Sequence, residues 1–311
     1  MQSPATDTQP SPAGELQAAV LDWYRAEGRV LDFRSSRDPY AILVSETMAQ
    51  QTQIARVVDY WSAFLTRFPT FEALAAATPA DVLRAWQGLG YDRRALNLLR
   101  CARIVVTEVG GHLPSEVDEL ERLPGIGPYT ARAIAALAFG RPVGAVDVNV
   151  HRVLSRVVSG TEAGSMTRAA VQAVADAVVP ADRPREWTHA LMDVGATFCR
   201  PRQPRCEACP AKPWCLYAAS AEVLDAPRGM RRGGRRRAAS RPVPFSSTTR
   251  WLRGRILDRL RTVEDDGWTW FRDGIGSHGR PAVEAALVAL AQEGLIELRH
   301  GEGPSARLAT A

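Results

Sequence analysis

Four of the five cysteines in this chain lie between positions 199 and 215, and this tract constrains the fold more than any other feature. The spacing is Cys199-x6-Cys206-x2-Cys209-x5-Cys215. No basic and apolar leader opens the sequence, so we expect a cytoplasmic setting in which thiols bind metal rather than pair as disulfides. One Cys-x-x-Cys pair between two single cysteines favours a 4Fe-4S cluster over a zinc ribbon, although zinc or four metal-free structural thiols are alternatives. Cys101 stands apart on an apolar helical face, which predicts a core position.

The basic residues exclude one kind of chemistry. The 311-residue chain has a net charge of +5 and holds 39 Lys and Arg, of which only Lys212 is a lysine. A reaction through a lysine Schiff base is therefore nearly excluded. The positive charge fits a polyanionic partner, and no apolar run is long enough to cross a bilayer. We expect a soluble monomer without a membrane partner.

Apolar residues recur with helical spacing over most of the chain, which predicts an all-α catalytic region. We expect a disordered tail at 1–14, a main domain at 15–217 that includes the cysteine loop 199–215, an arginine-rich linker at 218–248 and a small domain at 249–311. The helical pattern covers 15–25, 40–65, 71–76, 81–86, 95–109, 116–122, 129–139, 149–158, 167–178 and 184–197.

The last segment has a different pattern. Helices are predicted at Arg250–Arg261 and Arg280–Glu293, and strands at Leu295–Arg299 and Ala306–Thr310, with a short aromatic stretch around Trp268. This order resembles a winged helix, a small α+β unit that can place a helix in a DNA groove or serve only as a packing module.

A glycine-rich turn lies near the middle of the chain, in the sequence Leu123-Pro-Gly-Ile-Gly-Pro-Tyr-Thr130. Gly125 and Gly127 permit a tight hairpin, and Pro128 suits the first turn of the next helix. Backbone amides at that helix start form an anion site, which suits a DNA phosphate. By itself the motif could also be an ordinary helix–helix turn.

Together with Val146-Asp-Val-Asn-Val-His-Arg-Val153 and the cysteine spacing, this turn resembles the helix-hairpin-helix DNA glycosylase superfamily, which carries a C-terminal 4Fe-4S loop. The segments Pro39–Gln53 and Trp86–Tyr91 are similar to the MutY branch, the glycosylases that remove adenine opposite 8-oxoguanine or guanine. The resemblance implies a two-lobed helical fold, a base excision repair function in the cytoplasm on the nucleoid, and double-stranded DNA with a mispaired base as the partner.

The resemblance also implies the chemistry of two carboxyl groups. Glu46 lies on a largely apolar helix face, where burial would raise its pKa as a general acid requires. Asp147 precedes a helix, so it can cap that helix and also stabilise charge that develops on the sugar. Asn149 would orient Asp147 and the attacking water. Tyr129 occupies the position of the lysine of bifunctional relatives, which implies base release without strand cleavage.

The remaining site residues are implied contacts with DNA. Gln50, Gln51 and Tyr91 would fill the space of the extruded base or wedge beside its partner. Arg200, Arg202 and Arg205 would meet the backbone. Departures from the pattern of the family include Ala49, Asp92 and His151, and only about seventy residues remain where relatives carry a larger recognition domain. The alternatives are a thymine or uracil mismatch glycosylase and, more remotely, a non-catalytic, cluster-bearing DNA-binding protein.

Overall fold

The computed structural model of the protein describes residues 11–162, 165–220, 244–263, 267–301 and 303–310. The expected linker therefore lies mostly outside the described residues, and so does most of the expected tail. The helices of the main region are α1 (Pro12–Glu27), α2 (Pro39–Ala49), α3 (Ile54–Arg67), α4 (Phe71–Ala75), α5 (Pro79–Ala85), α6 (Arg93–Glu108), α7 (Val117–Glu121), α8 (Pro128–Phe139), α9 (Val148–Ser159), α10 (Arg168–Val178), α11 (Pro184–Thr197) and α12 (Leu216–Ala219).

The predicted helices are confirmed with one exception, because the pattern at 40–65 is two helices rather than one. The chain leaves the helical conformation after Ala49, and Gln51 has a φ of 58° before α3 begins at Ile54. A left-handed residue cannot continue an α-helix. The apolar spacing on both sides conceals this break, so periodicity alone does not detect it.

The chain divides into two compact units, and both are built from separate stretches of sequence. The described part of the first consists of 11–42, 115–122, 126–162 and 165–220, and that of the second consists of 43–114, 123–125, 244–263, 267–301 and 303–310. Each unit thus holds some of the residues expected to act on DNA.

The core of the first unit forms between α1, α9, α10 and α11. Its buried side chains include Val20, Leu21, Val153, Trp187 and Val194. Three of the tract cysteines, Cys199, Cys209 and Cys215, pack against the same cluster. The cysteine loop is therefore continuous with the core that holds the start of α9.

The second unit joins a helical part to the C-terminal residues. In the helical part, Phe64 packs edge-to-face on Trp86 with ring centroids 5.8 Å apart. The C-terminal residues form helix α13 (Thr249–Arg261), strand β1 (Thr269–Trp270), helix α14 (Arg280–Gln292), and strands β2 (Ile296–His300) and β3 (Pro304–Leu308). The two helices and the β2–β3 pair predicted here are confirmed.

The three strands form an antiparallel sheet in the order β1-β3-β2. Ile296 pairs with Leu308, and both side chains are buried with those of α13 and α14. Strand β3 and α13 also contact α5, so this C-terminal segment packs against a preceding helix of the same unit. Among the described helices, none is long and apolar enough to cross a membrane.

Candidate active site

Glu46 lies in the middle of α2, and only 8% of its surface is exposed. The same helix buries Leu43, Val44 and Met48. Leu43 precedes Glu46 by three residues, so these two side chains share one helix face, and Gln50 follows directly after the helix ends at Ala49. The predicted burial of this carboxyl group is therefore observed.

Arg94 holds the C-terminal end of α2 in place. Its guanidinium donates to the carbonyl oxygens of Thr47 at 2.8 Å and Met48 at 2.9 Å, and also to that of Gln50. The last carbonyl groups of a helix lack partners within the helix, and a cation there also complements the helix dipole. Burial lowers the pKa of Arg94 to about 10, which leaves the side chain charged at neutral pH.

A small cavity lies against Leu43 and Thr47 of α2. Helix α6 and the glycine hairpin complete its lining, which is formed by Leu43, Thr47, Gln50, Arg94, Asn97, Leu98, Cys101, Pro124 and Gly125. Gly125 has a φ of 82°, and a Cβ atom there would come within 2.8 Å of the Asn97 Cβ. The hairpin thus requires glycine for its backbone conformation and for its close approach to α6.

The loop from Gly88 to Tyr91 is held by side-chain donors. Arg94 donates to the carbonyl oxygen of Gly90 at 3.0 Å, Trp86 Nε1 donates to the same oxygen at 3.2 Å, and Arg56 donates to that of Gly88 at 3.0 Å. Tyr91 has a φ of 50°, and 39% of its surface is exposed. A non-glycine residue in this conformation needs such support from its surroundings.

In the first unit, the second half of the hairpin motif starts helix α8. Gly127 is its N-cap residue with extended backbone, and Pro128 takes the first helical position as predicted. Tyr129 follows in the first turn, and its hydroxyl lies 4.0 Å from the Met192 Sδ. The predicted helix start, with its backbone amides, is therefore present at this position.

Asp147 is the N-cap residue of α9, as the sequence predicts. Its Oδ1 accepts from the backbone amides of Asn149 at 2.9 Å and Val150 at 2.7 Å, and its Oδ2 accepts from the Asn149 side chain at 3.2 Å. Burial raises the pKa of Asp147 above its ordinary value, although these hydrogen bonds act in the opposite direction. The carboxylate is thus held in one orientation by donors that favour its charged form.

Arg152 connects this capped helix to the cysteine loop. Its Nη2 donates to the Asn149 Oδ1 at 2.7 Å and to the Gly195 carbonyl oxygen at 2.9 Å. Its Nε donates to the Cys199 carbonyl oxygen at 2.5 Å. A Cβ at Gly195 would lie 2.6 Å from the Asn149 Cβ. Helices α9 and α11 therefore meet closely at Asn149, and Arg152 fixes its amide.

The four tract cysteines line a single cavity in the first unit, together with Arg156 and Tyr217. All five cysteines of the chain are described, and each is a free thiol. Burial and the neighbouring thiols raise the pKa of Cys206 and Cys215, and burial raises that of Cys209 to about 12. Arg156 donates to the Cys199 Sγ at 3.5 Å.

Four thiols are a donor set for either a zinc ion or an iron–sulfur cluster. Within the described ranges, no three His, Cys, Asp or Glu side chains converge as ligands of a single metal ion. The four sulfur-bearing side chains nevertheless surround one space without an oxygen or nitrogen ligand among them. A four-thiolate set around a cavity fits a polynuclear iron–sulfur cluster, whose ligands are more widely separated than those of one tetrahedral zinc ion.

The three arginines of this loop that are predicted to contact DNA, Arg200, Arg202 and Arg205, are all exposed. The main chain between them is fixed, because the amides of Arg200 and Arg205 both donate to the Phe198 carbonyl oxygen. The guanidinium groups are thus presented on an ordered loop.

The predicted site residues fall into two groups by compact unit. Glu46, Gln50, Gln51, Tyr91 and Gly125 belong to the second unit, and the first holds Gly127, Tyr129, Asp147, Asn149 and the cysteine loop with its arginines. Sequence reasoning missed Arg94, Arg152 and Gly195. An arginine in a chain with 38 of them carries no local signal of this kind, whereas the pairing of Gly195 with Asn149 depends on helix packing.

Comparison with known proteins gives a consistent result. Residues 44–176 match the family described as HhH-GPD superfamily base excision DNA repair protein. The adenine DNA glycosylase of Mycolicibacterium smegmatis is 38% identical over 279 residues, which are 89% of this chain and 91% of that protein.

Solved structures agree on the fold. A thermostable thymine-DNA glycosylase superposes with a TM-score of 0.63 at 29% identity, over 67% of this chain and 96% of that one. An endonuclease III–DNA complex superposes with a TM-score of 0.57 at 21% identity, over 67% of this chain and 97% of the other, and this likeness concerns the fold alone.

Proposed function

The chain belongs to the HhH-GPD superfamily of base excision DNA repair proteins and to its adenine DNA glycosylase branch, and on this basis we propose that it hydrolyses the N-glycosidic bond of adenine mispaired with 8-oxoguanine or guanine in duplex DNA. The observation that carries the proposal is the pair of carboxyl side chains, Glu46 buried in α2 and Asp147 held at the start of α9. A buried acid and an oriented carboxylate are the two groups that glycosidic hydrolysis requires.

In the proposed reaction, Glu46 donates its proton to a ring nitrogen of adenine, and the base leaves with the electron pair of the glycosidic bond. Positive charge then develops on the sugar, where the Asp147 carboxylate stabilises it. Water adds to the anomeric carbon, and its released proton restores Glu46. The three hydrogen bonds to Asp147, one of them from the Asn149 side chain, keep its carboxylate in place through these steps.

We infer that the product keeps an intact strand with an abasic site. Strand cleavage by bifunctional glycosylases needs an amine that attacks the sugar. Tyr129 takes the corresponding position in α8, and the single lysine, Lys212, lies in the cysteine loop. A phenol does not form a Schiff base.

The cysteine loop is proposed to hold a 4Fe-4S cluster through Cys199, Cys206, Cys209 and Cys215. Such a cluster would supply cross-linking of the loop rather than bond cleavage. The exposed Arg200, Arg202 and Arg205 would then meet DNA phosphates on an ordered surface. Gln50, Gln51 and Tyr91 are proposed to replace the extruded adenine, and the amides near Gly125 and Gly127 to bind a phosphate.

The proposed domain arrangement is a glycosylase region at 15–217 and a C-terminal segment at 249–311. The proposed partner of the protein is duplex DNA with one mispaired base, which a single copy of the chain binds. The arginine-rich stretch between the two regions would add attraction for phosphates.

The decisive test is base release from end-labelled duplexes that carry A:8-oxoguanine, A:G, T:G, U:G or thymine glycol, each developed with and without hot alkali. Cleavage of the A-containing strands only after alkali supports a monofunctional adenine glycosylase. Release confined to T:G or U:G would instead assign the chain to the thymine or uracil branch, which a relative from Methanothermobacter thermautotrophicus represents at 31% identity. Cleavage without alkali would contradict the role of Tyr129.

The variant Glu46→Gln tests whether Glu46 is the acid of the reaction. The amide keeps the size of the side chain but has no acidic proton, so we expect base release to fall by about 10²–10⁴-fold. Duplex binding should persist, because the variant alters no basic group. Substantial residual turnover would exclude Glu46 as the acid.

A further inference from the structure

Helix α13 of the C-terminal segment contacts the loop that carries Tyr91. The Arg250 guanidinium lies 4.2 Å from the centroid of the Tyr91 ring, and Arg250 itself is exposed. The other end of the helix reaches the next residue, since Arg261 Nη2 donates to the Asp92 carboxylate. Two consecutive loop residues are thus held by two arginines of one helix.

The ion pair between Arg261 and Asp92 is buried, with side-chain exposures of 4% and 14%. Arg261 also donates through Nε to the Leu83 carbonyl oxygen at 3.0 Å and through Nη1 to Asp258 at 3.1 Å. A buried charge requires a partner of this kind. Arg261 is therefore built into the contact between α13, α5 and the loop.

Asp92 does not perform the usual task of an aspartate at its position. It is the N-cap residue of α6, but its side chain makes no capping hydrogen bond. The carboxylate is directed at Arg261 instead. The residue that departs from the family pattern after Tyr91 thus has its partner in the C-terminal segment.

Tyr91 needs a firm support because its backbone is in the left-handed region, with a φ of 50°. Arg94, Trp86 and Arg56 fix the carbonyl groups before it. Arg94 also lies 5.5 Å from the centroid of the Tyr91 ring, and α13 adds the closer contact from Arg250 and the partner of Asp92. The stacked guanidinium restricts the ring and places a positive charge beside an exposed aromatic side chain, a combination that suits DNA.

We propose that helix α13 positions the Tyr91 loop for insertion into DNA, with Arg250 and Arg261 as positioning residues for extrusion of the target base. This inference rests on the proposed glycosylase function and deepens it. The C-terminal segment then acts on the reaction through the shape of the loop, and no direct reading of the opposite base by this segment is required.

The test compares Arg250→Ala with Arg259→Ala in the full-length protein. Both arginines are exposed on α13, but the Arg259 guanidinium lies over the Phe271 ring, 5.1 Å from its centroid. Base extrusion is followed by the fluorescence of 2-aminopurine placed opposite guanine or 8-oxoguanine, and adenine release by single-turnover kinetics. We expect Arg250→Ala to slow both processes by about two- to fivefold, and Arg259→Ala to match the wild type.

Asp92→Asn tests the other contact with little change in shape, and Arg250→Lys tests whether charge alone suffices. We expect slower extrusion in Asp92→Asn at temperatures where circular dichroism shows a folded chain. Lysine keeps the charge without the planar stack. Arg250→Lys should therefore bind DNA as well as the wild type does, but its extrusion rate should lie between those of Arg250→Ala and the wild type.

The outcomes separate this inference from the proposed function. Normal extrusion in both Arg250→Ala and Asp92→Asn, with an active wild type, overturns the inference alone. Equal losses in Arg250→Ala and Arg259→Ala would also overturn it, because they indicate a general effect on α13. A wild type that extrudes 2-aminopurine through this loop but releases no adenine overturns the proposed function and leaves the inference standing.

Discussion

Arg152 and Cys199 are joined by a hydrogen bond of 2.5 Å from the guanidinium Nε to the Cys199 carbonyl oxygen. The same guanidinium holds the side-chain oxygen of Asn149 at 2.7 Å, and Asn149 in turn donates to Asp147. Arg152 therefore holds both the first tract cysteine and the Asn149 side chain, which is one of the three donors to the Asp147 carboxylate. The cysteine loop can influence base release through geometry without any part in the bond cleavage.

Replacement of Arg152 by methionine should lower the rate of base release by about tenfold or more, because hydrogen bonds to a charged group are lost and Asn149 loses its orientation. Duplex affinity should change much less, since Arg152 is buried. Single-turnover kinetics at saturating enzyme measure the first effect and a binding titration the second. Arg168→Met, at an exposed position of α10, is the control. A loss of affinity with an unchanged rate would contradict the assigned role.

Asp147→Asn should abolish most base release and leave the fold at least as stable as the wild type. Asparagine caps a helix about as well as aspartate. Burial raises the pKa of Asp147 in the folded chain, so the folded state keeps its proton at pH values where the unfolded state has lost it. Stability from this group therefore declines as pH rises above about 4, and the neutral amide avoids that loss at pH 7.

Thermal melting at pH 7 checks this expectation, with the exposed Asp182→Asn as control. A melting temperature well below that of the wild type would show that the carboxylate stabilises the fold. The raised pKa also predicts that the acid limb of the pH–rate profile lies above the range of an ordinary aspartate, because the ionised form is the active one.

Cys206→Ser should lose the visible absorbance of an iron–sulfur cluster, and DNA affinity should fall before the rate of the chemical step does. Cys206 lies in the loop with the exposed arginines, whereas Asp147 is held by its own hydrogen bonds. Glu207→Gln is the control, because it changes an exposed neighbour in the same loop and keeps all four thiols. Iron and sulfide analysis of the wild type distinguishes the cluster from zinc, and unchanged absorbance and affinity in Cys206→Ser would refute the assignment.

The features predicted from sequence are those with a local signal. The turn after Leu123 depends on two nearby glycines and a proline, and the cap at Asp147 on the residue type at a helix start. Both are present in the structure. The cysteine spacing predicts a 4Fe-4S cluster; the structure brings the four cysteines around one cavity, and the cluster itself stays a prediction.

The features that were missed join residues far apart in sequence. Arg261 and Asp92 are separated by 169 positions, and Arg152 and Cys199 by 47. A local pattern does not indicate which arginine reaches which acceptor. In the sequence, Asp92 is visible only as a departure from the pattern of the family. The structure explains this aspartate, because it is the partner of the buried Arg261 in α13. The break between α2 and α3 was missed because one left-handed residue leaves the apolar spacing intact.

Arg94→Lys should destabilise the second unit and impair base release together. Arg94 donates to carbonyl groups at the end of α2 and to those of Leu89 and Gly90 beside Tyr91, so it orders both the helix of Glu46 and the loop of Tyr91. A lysine amine cannot span these acceptors, and buried carbonyls left unpaired cost about 2–4 kcal/mol in total. Urea unfolding and single-turnover kinetics measure the two effects, and Arg93→Lys on the exposed side of α6 is the control. A stable variant with normal base release would show that the remaining donors, Trp86 and Arg56, hold the loop without Arg94.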